Sequence, residues 1–172
     1  MPKINSRTKG QTGEREIIKL LQPIIDRVYD DHRLPAPQLQ RNTLQAHKGG
    51  FDVVGIDSLA IEIKREERLN LSDWWQQTIK QANGRTPVLI YRQNRQKWRV
   101  RMVGSIDFVP MVVDVSMDDF LRWFAGHIGE LATFERLKDI EIPNIAIEIP
   151  NIAIELHNSN IELRQSLIDV TL

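Results

Sequence analysis

The chain has 172 residues, of which 41% are hydrophobic, enough for one domain with a real core plus extensions. It has no cysteine, which excludes disulfides and thiolate metal sites and leaves oxygen or imidazole to hold any metal; no apolar run approaches a membrane span and no signal peptide is visible, so we expect a cytoplasmic protein with no membrane partner. The net charge of zero hides a split: residues 1–104 carry 19 Lys and Arg against 11 Asp and Glu, whereas residues 105–172 carry 4 against 12. A basic module of this kind suits a polyanionic partner, and its acidic appendage could equally be attracted to it.

Residues 1–11 are polar and basic and read as a flexible N-terminal arm. A helix follows from about Gly13, with Ile17, Leu20, Leu21, Ile24, Ile25 and Val28 at the spacing of one buried face. Pro23 lies inside that pattern and predicts a kink or an early stop. Residues 30–40 read as a connection and 51–65 as a hairpin, with strands Phe51–Ile56 and Leu59–Arg65 around an Asp57-Ser58 turn. A helix is expected between caps at Ser72-Asp73 and Asn83-Gly84, then a strand over Thr86–Tyr91. Lys97–Val103 is expected to pair with that strand, and Phe108–Val115 to add another. Ser116 caps an amphipathic helix over 116–138 with Phe120, Phe124, Ile128 and Leu131 inward. In the tail, 139–172, the heptapeptide Ile140–Ala146 recurs identically over 147–153. Pro143 and Pro150 forbid a continuous coiled coil there, so an Ile-rich extended appendage is expected, with a role in oligomerisation as one reading.

Four residues stand out chemically. Glu14 lies at the N-terminal end of the buried helical stripe, where a carboxylate needs a metal or a basic partner. Asp52 follows Gly49-Gly50, where backbone can approach a ligand closely. On the return strand the period of two places Leu59, Ile61 and Ile63 on one face and Ala60, Glu62 and Lys64 on the other, so Glu62 and Lys64 enter the same space. Carboxylates converging from a helix and a hairpin can hold a hard divalent cation. Each residue also has a plainer reading: Glu14 and Glu16 as complements of a helix N-terminus, Asp52 as a turn residue, Glu62 and Lys64 as a surface ion pair.

The run Lys9-Gly10-Gln11-Thr12-Gly13-Glu14-Arg15-Glu16 resembles the opening of archaeal-type Holliday-junction resolvases. Asp52 with Glu62-Ile63-Lys64 resembles the hallmark of the wider PD-(D/E)XK nuclease superfamily, with Phe51 where proline gives that superfamily its name. Lys97-Trp98-Arg99-Val100 is similar to a late strand of the resolvases, and the likeness spans roughly residues 8–104. It implies an α/β fold over 12–115: a central mixed β-sheet flanked by helices, restriction-endonuclease-like, followed by the C-terminal helix and the repeat tail. It also implies that Asp52, Glu62 and the backbone carbonyl of Ile63 ligate Mg²⁺, with Mn²⁺ as a substitute. Glu14 would bind a metal or a water on it, and Lys64 would orient the attacking water.

The implied activity is that of a metal-dependent endodeoxyribonuclease, a homodimer acting on branched DNA such as a four-way junction. The alternatives are another nuclease of the superfamily (restriction-like, repair or replication-fork) and a non-catalytic DNA-binding protein. Lys9, Arg15, Arg41, Lys48 and Gln77 are the candidate DNA contacts. Arg95, Lys97, Arg99 and Arg101 alternate along one strand and read either as phosphate contacts or as a solvated edge. Trp74 and Trp75 read either as base-stacking or as core residues.

Overall fold

The computed structural model describes residues 6–43 and 50–138. The tail from residue 139, the first five residues of the arm, and His47 with Lys48 lie outside them. Helix α1 spans Ser6–Asp31. Its core-facing residues Gly13, Ile17, Leu21, Ile25 and Tyr29 recur every four positions and form one continuous stripe. The helix starts well before the expected Gly13, so residues 6–11 are helical and not part of a flexible arm. Hydrophobic periodicity gives no signal for this extension, because none of residues 8–12 is buried. Nor does Pro23 stop the helix. It sits on the exposed face, where water can reach the carbonyl left without a donor. Gln22 then anchors the connection: its Oε1 accepts from Leu39 N at 2.7 Å and its Nε2 donates to Pro37 O at 3.1 Å.

The sheet has six strands in the order β1 to β6: Gln40–Arg41, Val53–Val54, Leu59–Glu66, Thr86–Gln93, Arg99–Ile106 and Val109–Ser116. Only β3 and β4 run parallel; all other neighbours are antiparallel. The parallel pair is joined by helix α2, Leu71–Ala82, as a parallel crossover requires. Asn83 ends α2 in the left-handed region at φ 48°, as expected for a C-cap. The expected start at Ser72-Asp73 moves to Asn70, whose side chain bonds Asp73 Oδ2 at 2.5 Å.

The expected strand Phe51–Ile56 shortens to Val53–Val54. Gly55 breaks it at φ +113°, where a Cβ would lie 2.5 Å from Gln38 O, so the connection can pass only over a glycine. At the other edge, β5 and β6 are joined by Asp107-Phe108, both at positive φ, a two-residue turn of the kind that matches strand twist. Phe108 was expected to begin a strand; it is instead the turn residue, 99% exposed.

Helix α3, Met117–Lys138, follows β6 directly. Ser116 Oγ accepts from Asp119 N at 3.1 Å, an N-cap as expected. Its buried residues are Phe120, Phe124, Ile128 and Ala132, with Leu131 at the margin of the core. Helices α1 and α3 cover one face of the sheet, packing on Leu59, Ile61, Ile63, Val88, Ile90 and Val100. The other face, Leu89 and Tyr91, packs against Trp75 of α2. Glu62 pairs with Leu89 in register and shares that second face. The result is a mixed sheet flanked by helices on both faces.

Candidate active site

The short strand β2 sets the site. Register pairs Val53 with Ile61, so Asp52 lies opposite Glu62. Three bonds clamp Asp52: its N–H donates to Ile61 O at 2.8 Å, its carbonyl accepts from Asn42 N at 2.8 Å, and its Oδ2 accepts from Ile63 N at 2.6 Å. Asp52 is 7% exposed and Glu62 1%. Lys64, two residues along the same face, places Nζ 2.6 Å from Glu62 Oε1. The second oxygen, Glu62 Oε2, is buried with no partner. Glu14 reaches the same region from α1, and Arg41 on β1 donates to its Oε2.

The electrostatics show how closely these groups share space. Burial, the adjacent Glu62 charge and, more weakly, Glu14 raise the Asp52 carboxyl to about 7 against the opposing Ile63 N–H and Lys64. Burial also raises the Glu62 carboxyl, Glu14 adds to the rise, and Lys64 opposes it. Glu14, Asp52, Glu62 and Lys64 therefore lie within electrostatic reach of one another. Among the described residues, however, no three acidic or imidazole groups are gathered tightly enough to hold a cation as they stand. Two of the carboxylates are turned to cationic side chains instead, Glu14 to Arg41 and Glu62 to Lys64.

A model of the family described as "Phage putative PDDEXK endonuclease" matches residues 5–130. The chain belongs to this PDDEXK endonuclease family. No curated protein matches the sequence. Among solved structures the chain is similar to Hjc of Archaeoglobus fulgidus, a Holliday junction resolvase, at 17% identity and a TM-score of 0.41, over 64% of this chain and 97% of that one.

The remaining expected DNA contacts fare unevenly. Arg15 is exposed on α1 and Lys9, earlier on the same helix, is half-buried. Arg41 is occupied by Glu14. Gln77 is exposed on α2 and lines a groove with Phe51, Lys80, Gln81 and Arg85. On the basic strand Arg101 is committed to Asp114, with Nη2 2.6 Å from Oδ2, and Tyr91 OH donates to the same carboxylate at 2.9 Å. Burial works against ionisation of Asp114, but the bonds from Arg101 and Tyr91 outweigh it and hold the carboxyl below its usual value. Arg101 thus ties β5 to β6. Trp75 is a core residue, and Trp74 packs beside it.

Sequence reasoning missed a second construction on α1. Glu16 accepts two parallel bonds from Arg92, at 3.0 and 2.8 Å, and a third from Trp98 Nε1 at 2.9 Å. The Arg92 guanidinium lies 4.3 Å from the Trp98 ring centroid, and Gly13 leaves room for that ring, where a Cβ would stand 3.3 Å from its edge. The reading of Glu14 and Glu16 as complements of a helix N-terminus falls with the earlier start of α1, because neither is in its first turn. One signal was available: residues two apart on a helix do not share a face, so Glu14 and Glu16 could not share one partner.

Proposed function

We propose that this chain is a divalent-metal-dependent DNA endonuclease. The observation that carries the reading is Glu62 Oε2, a buried carboxylate oxygen with no partner, opposite a second buried carboxylate whose proton affinity is raised to about 7. Two such groups repel one another unless a proton or a cation lies between them. All the donors are oxygen, which suits Mg²⁺ and tolerates Mn²⁺. Asp52, Glu62 and the carbonyl of Ile63 would hold the cation, with Glu14 as an outer or additional ligand. The chemistry such a cation supplies is a more acidic water and a polarised phosphoryl oxygen.

The chain's own residues do the rest. The Ile63 N–H fixes the orientation of the Asp52 carboxylate. Lys64 places a positive charge beside Glu62, where it orients the attacking water and steadies charge developing on phosphate. The excess of cations over residues 1–104 supports a polyanionic substrate. Preference for a four-way junction, and action as a homodimer with two opposed sites, rest on the resemblance of Lys9–Glu16 to archaeal-type resolvases.

A second reading has its own support. The ion pairs Glu14–Arg41 and Glu62–Lys64 suit a DNA-binding protein whose carboxylates serve structure alone. Incubation with a labelled four-way junction and a matched duplex, with and without Mg²⁺, separates the two. We expect metal-dependent product from the junction, with Asp52→Asn binding but not cutting. Absence of product on junction, flap, duplex and single strand, in Mg²⁺ and in Mn²⁺, would leave only the binding protein.

A further inference from the structure

The groove beside the site has no part in the hydrolysis as proposed. It is lined by Phe51, directly before Asp52, by Gln77, Lys80 and Gln81 of α2, and by Arg85 at the entry to β4. Its volume is about 600 Å³, in the range of small-molecule sites and far larger than an ion needs.

The lining combines three chemistries. Phe51 offers an aromatic ring, with the Arg85 guanidinium 4.9 Å from its centroid. Gln77 and Gln81, one helical turn apart, offer amides on one side of α2. Lys80 adds an exposed cation. Two polar atoms of this lining, Gln81 Oε1 and Arg85 Nε, are shut off from water without a partner in the chain. Buried polar groups left in this way are costly, so both side chains gain by turning toward a ligand with donors and acceptors that enters the groove. Aromatic and guanidinium planes take the face of a base, amides read its edge, and cations take phosphate. A base inside a continuous duplex has its faces covered by its neighbours, so the match is to a base out of the stack.

We propose that this groove holds one unpaired nucleotide of the DNA, with its base against Phe51 and Arg85, its edge bonded to Gln77 and Gln81, and its phosphate beside Lys80. The inference rests on the reading of the chain as a DNA-acting protein and specifies the substrate. Because Phe51 and Asp52 are consecutive, a nucleotide seated there fixes which phosphate of the strand reaches the carboxylates. DNA with unpaired or splayed bases is thereby favoured over uniform duplex.

The test measures affinity of the full chain without divalent metal, so that binding is read apart from cleavage. Fluorescence anisotropy compares a duplex carrying one unpaired nucleotide with the same duplex fully paired. The wild type binds the unpaired form more tightly. Phe51→Leu, which keeps an apolar side chain but loses the ring, weakens that binding by about tenfold, while Phe51→Tyr retains it. Gln81→Ala, on the helix surface and outside the core, also weakens it and serves if Phe51→Leu does not fold. All of these variants bind the paired duplex as the wild type does. A wild type without preference, or variants that lose both substrates in parallel or neither, overturns the proposal. Failure to cut DNA in Mg²⁺ would remove the nuclease reading and leave the binding preference standing; cutting without the preference would remove the groove's role alone.

Discussion

Two carboxylates two residues apart on α1 meet opposite fates. Glu16 accepts three bonds, two from Arg92 and one from Trp98, and thereby ties α1 to the sheet. Glu14, bonded by Arg41, lies beside the buried pair Asp52 and Glu62, where one carboxylate oxygen is unpartnered and burial with neighbouring negative charge raises both carboxyls. Charge-assisted, geometrically complete contacts stabilise a fold. Buried like charges destabilise it, and persist where they serve chemistry. The contrast therefore separates residues whose loss should cost stability from residues whose loss should cost activity alone.

The largest effect expected is on the active side of this contrast. Asp52→Asn keeps an acceptor for the Ile63 N–H but removes the charge facing Glu62. Metal stabilisation of a transition state is worth several kcal/mol, so cleavage should fall on the order of 10³-fold or more. The thermal midpoint at pH 8 should hold or rise in the same variant. A midpoint that falls by many degrees would make Asp52 a structural residue and erase the contrast.

On the structural side, Trp98→Ala empties a buried site and strips Glu16 of a donor. Loss of about 3–5 kcal/mol is expected, a drop of roughly 10 °C in midpoint. Glu16→Ala leaves Arg92 without its carboxylate and should cost less, about 1–2 kcal/mol. Single-turnover cleavage by either variant, well below its melting temperature, should remain within a few-fold of wild type. A collapse of the chemical step in folded Glu16→Ala would place this clamp inside the catalytic machinery.

A smaller, pH-linked effect follows from Asp52, smaller because proton uptake limits the cost of the buried charge. Its folded value of about 7 lies above the ordinary 3.8, so the folded state holds the proton more tightly than the unfolded one. The stability contributed is complete below about pH 4 and is lost as pH rises through 7. Metal-free protein should accordingly be less resistant to denaturant at pH 8 than at pH 5, and Asp52→Asn should flatten that slope. Added Mg²⁺ should raise the midpoint more at pH 8, where the carboxylates are ionised. A metal-free stability that climbs across this interval would contradict the assigned strain.

The legible parts of the molecule were those written in local pattern. Alternation along Leu59–Arg65, the turn at Asp57-Ser58, the Ser116 cap and the helix ended at Asn83-Gly84 could be read because each depends on neighbours in sequence. The adjacency of Asp52 and Glu62 was legible for the same reason, since a hairpin joins them. Glu16 with Arg92 and Glu14 with Arg41 were not, because an ion pair between distant residues leaves no periodicity behind. The early start of α1 escaped because its first turns contribute nothing to the buried stripe. Phe108 escaped because a turn of its kind ordinarily carries glycine there.

That turn gives the smallest prediction and a control for the contrast. Phe108 holds φ 65° with its ring 99% exposed, so it bears the cost of a left-handed conformation and gains no burial. A side chain in that region costs roughly 1–2 kcal/mol, and Asp-Gly is a preferred sequence for such turns. Glycine carries its own entropic cost of about 0.5–1 kcal/mol, which offsets part of the gain. Phe108→Gly should therefore stabilise the chain by up to about 1 kcal/mol, read as a rise of about 2–4 °C in midpoint. It lies at the far end of the β5–β6 hairpin, on the edge opposite β1 and β2, so cleavage should be unchanged. Stability moving here without activity, and activity moving at Asp52 without stability, would show that the two are set by different residues. If Phe108→Gly instead lowers the midpoint, the exposed ring is buried by something other than this chain's own hairpin.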